Sequence, residues 1–201
     1  MAVGAFGVSY GLLATTTGFG GLAAFVMSLT TFSGASQFAS LSVLASGGGV
    51  TAAVVAAVLL AARYGPIGIS VAPSITGNAV LRFLQAQLII DESWAVSNRG
   101  DGTVDRDMLL GAGGLIFIAW AAGTVIGVFG GDIFRDPEAL GLDAAFPALF
   151  LGLLLSQING RRAVVAALLG GVIAFALIPF AKAGIPIIAA SVAALVGLRR
   201  E

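Results

Sequence analysis

The sequence predicts an all-α polytopic membrane protein of about seven transmembrane helices, arranged as two inverted pseudo-repeats with interrupted helices. Three observations predict it. Of the 201 residues, 58% are hydrophobic and 10% charged, with a mean hydropathy of +1.04. Soluble domains carry about 25% charged residues. The first 62 residues contain no charged side chain at all. Yet that stretch carries Thr30, Ser33, Ser36, Gln37 and Ser40, whose three- and four-residue spacing gives one polar stripe on a helix. In hydrocarbon an unpaired amide or hydroxyl costs a few kcal/mol, so the stripe faces other helices or a wet cavity. Helix adhesion and a solute path both answer this, and the residues leave both open.

Composition also excludes. The formal net charge is zero and no basic cluster is present, which argues against a polyanion-binding surface. Without cysteine there are no disulfides or thiolate ligands, and without histidine the usual near-neutral proton carrier is missing. Proton coupling must then run through Asp, Glu or water. No phosphate-binding loop, metal-ligand cluster or nucleophile–base pair is visible, so neither an enzyme nor a cofactor is expected. The apolar start lacks the basic region of a signal peptide, and Met1 onward reads as mature membrane sequence.

The spans follow in order. The first covers residues 3–16 and ends at a Thr/Gly-rich turn. The second runs over 22–45, contains the polar stripe, and has a break signal at Ser33-Gly34. The third starts near Val50 and is interrupted at Arg63-Tyr64-Gly65-Pro66, where a kink or unwound segment is expected. Residues 78–90 read as an amphipathic helix running into Asp91-Glu92, followed by a solvated loop from Ser97. The remaining spans are placed at 108–130, 144–156, 163–181 and 185–198. Arg82, Arg99, Arg106, Arg161, Arg162, Arg199 and Arg200 then share one side, against Arg135 and Lys182 on the other. This asymmetry predicts a cytoplasmic C-terminus and an external N-terminus. A crossing by 78–90 would move the N-terminus inside.

Residues 21–37 align without gaps to 141–157, with six of seventeen positions identical. The copies fall in the second and fifth spans, three apart, which would make them antiparallel, the plan of many secondary transporters, with substrate held at the midplane. The pseudo-repeats would cover about 1–77 and 108–201, with 78–107 linking them in a single transmembrane domain. Chance similarity between two Ala/Leu/Gly-rich helices is the rival reading.

Arg63 is the most informative charge. A charge at a helix centre normally has a partner and a purpose, and its guanidinium suits a carboxylate. The alternative is an arginine that reaches the interface from a helix end. Asp91 or Glu92 could pair with it or carry a proton; alternatively the two form a solvated helix end. Trp120 sits mid-span, and Gly123 with Gly127 forms a small-residue packing face. Asp132, Asp136 and Glu138 with Arg135 read as an ordinary outer loop.

The chain resembles the AzlC/YgaZ family of branched-chain amino acid exporters along nearly its whole length. The resemblance rests on Ser28 with Phe32-Ser33-Gly34-Ala35-Ser36-Gln37-Phe38, then Arg63, Asp91-Glu92, Trp120 with Gly123 and Gly127, Gly141-Leu142-Asp143 and Phe146-Pro147-Ala148-Leu149-Phe150. Tyr64 stands where the family usually has His, and Ile90 where it has Thr. The resemblance implies export of valine, leucine, isoleucine and methionine across a prokaryotic cytoplasmic membrane, with a small AzlD/YgaH-type membrane subunit as partner and proton coupling as the drive. The residues then suggest a substrate site at Phe32, Ser33, Gly34, Ala35, Ser36, Gln37, Arg63 and Trp120. The free amides of an interrupted helix at Gly34 to Gln37 would receive the substrate carboxylate, and Phe32 and Trp120 would wall an apolar pocket. Arg63 would either bind that carboxylate or pair with Asp91 or Glu92 in ion-pair or proton coupling. A non-transporting subunit of a larger complex, or a channel or carrier for another small solute, is the competing expectation.

Overall fold

The structure is a computed structural model that describes residues 2–99, 103–130, 148, 151–152, 154–155, 158, 160–181 and 185–195. Its elements are helices: α1 Ala2–Thr16, α2 Gly21–Thr30, α3 Gly34–Ala45, α4 Val50–Ala61, α5 Tyr64–Val71, α6 Ala79–Ala86, α7 Asp91–Ser97, α8 Arg106–Phe129, α9 Arg161–Leu177 and α10 Ile185–Ser191. Short 3-10 turns, Ala72–Ser74 and Val192–Ala194, extend α5 and α10. Among the described residues β pairing is confined to an isolated antiparallel bridge between Asn98 and Val104. The chain divides into two compact units, Met1–Gln37 with Leu60–Ile133, and Phe38–Leu59 with Phe134–Glu201.

In the first unit α8 is the axis, and α1, α2 and α7 pack against it while α5 meets α7. Glycine makes this approach close. A methyl group added at Gly7 would stand 2.6 Å from the Trp120 carbonyl oxygen, and one at Gly11 would run into that of Thr124. Reciprocally, one at Gly123 would meet the Gly4 carbonyl and one at Gly127 that of Val8. Lipid offers no hydrophobic drive for two apolar helices to meet, so contact between their backbones must supply it. The opposite face of α8 carries Leu115, Ile118, Ile126 and Phe129, all exposed. Small residues inward and large apolar ones outward reverse the pattern of a soluble helix.

Of the described helices, α8 alone is long and apolar enough to cross a bilayer unaided. The second expected span is two helices, with its break at residues 31–33, next to the Ser33-Gly34 signal. The third is α4 and α5, bent by 41° where Ala62 and Arg63 interrupt them. Pro66 lies in the first turn of α5, where its missing N–H leaves no carbonyl unserved. Gly160 precedes α9, which packs on α10 and its 3-10 turn in the second unit.

One expectation needs correction. Residues 78–90 do not form one helix running into Asp91-Glu92. Asn78 caps α6, its Oδ1 accepting from the Leu81 N–H at 2.9 Å, but α6 stops at Ala86. Asp91 and Glu92 instead open α7, the end of a helix that favours acidic side chains. Ser93 fixes that start by accepting from the Ile90 N–H at 3.0 Å. The loop therefore begins only after Ser97. Most of the fifth expected span, the 132–138 loop, most of the second repeat copy, and Lys182, Arg199 and Arg200 lie outside the described residues.

Candidate functional site

The site grows from the break between α2 and α3, all of it within the first unit. Phe32 takes φ +37°, a left-handed backbone that side chains with a Cβ rarely adopt. Its ring meets Phe117 edge-on at 4.9 Å. Gln87 serves the open end of α2, its Nε2 donating to the carbonyls of Leu29 (3.1 Å) and Thr30 (2.9 Å). Thr30 turns its hydroxyl back to the Val26 carbonyl and is exposed, so the break removes it from the polar stripe. Ser33, Gly34, Ala35, Ser36 and Gln37 form the start of α3, with Ser36 and Gln37 fully buried.

Two polar groupings meet at that start. In the first, Gln37 Nε2 donates to Ser28 Oγ at 3.0 Å and Trp120 Nε1 donates to the same oxygen at 3.2 Å. Ser28 Oγ lies 2.9 Å from Thr124 Oγ1, which donates to the Trp120 carbonyl at 3.0 Å. Two accepted bonds occupy both lone pairs of Ser28, so its own hydrogen goes to Thr124. Trp120 also stacks on Tyr10 at 6.0 Å between centroids. Its ring lies against Gly34, where an added methyl would stand 2.9 Å from Cη2.

In the second grouping, Arg63 Nε contacts Asp91 Oδ2 at 2.8 Å and Nη1 donates to the Leu60 carbonyl at 2.6 Å. Arg63 Nη2 donates to Tyr64 Oη at 3.3 Å, Tyr64 donates to Ser33 Oγ at 3.3 Å, and Ser33 donates to Ser36 Oγ at 3.0 Å. The guanidinium thus serves the last turn of α4, the first residue of α7 and, through Tyr64, the start of α3. Arg63 and Asp91 side chains keep 26% and 25% of their exposure, so the pair is neither sealed nor open. Glu92 is exposed, and the carboxylate bonded to Arg63 is that of Asp91.

The sequence pointed to Phe32, Ser33, Gly34, Ala35, Ser36, Gln37, Arg63, Asp91 and Trp120, and these lie on elements that converge on the break. It gave no role to Tyr10, Thr124 or Gln87. Thr124 lies four residues beyond Trp120, a spacing that puts both on one helix face. Tyr64, noted as a departure from the family pattern, is the link from Arg63 to Ser33.

Comparison with known proteins places this arrangement. The chain is 33% identical over 195 residues to an uncharacterized membrane protein of Archaeoglobus fulgidus, covering 92% of this chain and 82% of that one. It is 27% identical over 205 residues to the inner membrane protein YgaZ of Escherichia coli, covering 94% of this chain and 78% of the relative. No solved structure matches. These relatives put the chain in a membrane. The family model described as AzlC protein matches residues 1–134, which hold every residue of both polar groupings, and the chain belongs to that family.

Proposed function

We propose that the protein is a secondary transporter exporting branched-chain and related neutral amino acids across the cytoplasmic membrane, with a small AzlD/YgaH-type subunit as partner. Family membership supports transport, and one observation carries the site: an arginine–carboxylate pair, partly exposed, linked by hydroxyls to a broken helix. A solute carboxylate can replace Asp91 on the guanidinium, which then keeps an anionic partner, while the displaced and partly exposed Asp91 carboxylate turns to water or a proton. Near the break, Trp120 and Phe32 supply apolar surface for a side chain. Selectivity among such chains should be modest, since one methylene is worth only about 1–3 kcal/mol. The arginine asymmetry puts the C-terminus in the cytoplasm.

Counter-flow of labelled valine or isoleucine into proteoliposomes tests this. The wild-type protein should exchange both saturably, and Arg63→Ala should abolish exchange while the folded protein persists. Unchanged exchange in Arg63→Ala removes the proposed site. A second reading has its own observation. Ser28, Thr124, Trp120 and the Gln37 amide nitrogen bond to one another, which is what adhesion between helices requires. On that reading the protein is a non-transporting subunit. Gln37→Ala would then disturb assembly with the partner, and no valine exchange would occur.

A further inference from the structure

We propose that the side-chain carbonyl of Gln37 receives the ammonium group of the transported amino acid, an assignment that rests on the transporter reading above. Gln37 is wholly buried on the first turn of α3. Its nitrogen donates to Ser28, but its oxygen, Oε1, has no hydrogen-bond partner among the described residues. The neighbouring donors already have other acceptors. Trp120 Nε1 and the Ser28 hydroxyl are engaged within the cluster, and the Tyr10 hydroxyl, itself hydrogen-bonded to the Gln37 side chain, gives its hydrogen to Met27 Sδ at 3.4 Å. With Nε2 held by Ser28, Oε1 is the part of the amide left open to a donor.

A buried acceptor without a donor is expensive, and such groups in native proteins ordinarily meet a partner. The required partner brings an N–H and tolerates apolar walls. A protonated primary amine on an apolar solute meets both conditions. Arg63 then recognises the acid end of that solute and Gln37 its amine, so the two groupings read opposite ends of one zwitterion. The guanidinium bonds Asp91 in the structure, and Gln37 Oε1 is the acceptor left for an amine.

The experiment is inhibition of valine counter-flow by unlabelled valine and by isovalerate, which has the same branched chain and carboxylate but no amine. Wild-type protein should prefer valine by at least about tenfold, the worth of one charge-assisted hydrogen bond. Gln37→Met, which fills the same space without an acceptor, should weaken valine about ten- to a hundredfold and bring it level with isovalerate. Gln37→Glu keeps an acceptor and should keep the preference. Undiminished preference in Gln37→Met overturns the assignment. So does a wild-type protein that takes valine and isovalerate equally, a result that needs no variant to fold. Absence of saturable valine exchange in the wild type overturns the transporter reading instead, and the assignment with it.

Discussion

Ser28 is the residue on which three helices agree, because its one oxygen accepts from both Gln37 and Trp120 while its hydrogen serves Thr124. Ser28→Ala strands these groups at once, and each buried group left unpaired costs about 1–3 kcal/mol. The variant should lose thermal midpoint in detergent and shift Trp120 fluorescence. A small isolated change in either would show that the cluster can re-pair without Ser28. Phe32 poses a different question, since its φ of +37° is strained for any residue with a Cβ. Phe32→Gly and Phe32→Ala both remove the ring from Phe117, but glycine also relieves the backbone. Phe32→Gly should therefore be the more stable of the two by about 1 kcal/mol, read from paired unfolding midpoints. Ser36 and Gln37 were legible in the sequence because they repeat at helical spacing among apolar residues. Ser28 and Thr124 were not legible as a pair. A lone hydroxyl in an apolar helix says nothing of its partner, and 96 residues separate these two.

At the scale of elements, α8 holds two kinds of glycine, and the distinction needs the neighbouring helix. Gly114 faces open space, whereas a methyl at Gly127 would drive into the Val8 carbonyl of α1. Gly114→Ala should stabilise the helix by about 0.5–1 kcal/mol through lower backbone entropy. Gly127→Ala should destabilise by about 1–3 kcal/mol through overpacking, and equal midpoints for the two would refute the packing of α1 on α8. The start of α8 depends on Asp105, whose Oδ1 accepts from the Asp107 and Met108 N–H groups at 3.1 Å each. Hydrogen bonding from Arg99, and then from the Met108 amide, holds its carboxyl below the usual carboxylate range. A depressed folded value means the cap's contribution is whole above the unfolded pKa, about 3.9, and is lost as pH falls through the lower folded value. Hydrogen exchange at the first turn of α8, corrected for intrinsic rates, should hold steady down to about pH 5 and rise below about pH 4. Asp105→Asn keeps the acceptor and should remove that dependence. The break in the second span was legible from Ser33-Gly34, and the bend in the third from Arg63 to Pro66. The end of α6 was not, because residues 88–90 stay apolar and the helix stops where Gln87 reaches α2.

At the scale of the molecule, hydropathy and charge made an all-helical membrane chain legible. How the helices gather was not, because a small-residue stripe names no partner helix. Nor could the sequence decide between Asp91 and Glu92, since both are carboxylates beside the same apolar stretch. The structure puts Asp91 on Arg63 and leaves Glu92 exposed, which turns proton coupling into a question about one side chain. If a proton drives export, Asp91 is the first carboxylate to test, because among the described residues it is the acid bonded to Arg63. Asp91→Asn then separates two activities. Exchange of valine for valine needs no net proton movement, so counter-flow should persist, slowed by the loss of an ion-pair partner. Accumulation of valine driven by an imposed pH gradient should vanish. Arg63→Ala, by contrast, should abolish both, because it removes the solute's own carboxylate partner. If Asp91→Asn still accumulates valine against a pH gradient, the proton travels by another route and Asp91 serves only to hold Arg63 in place.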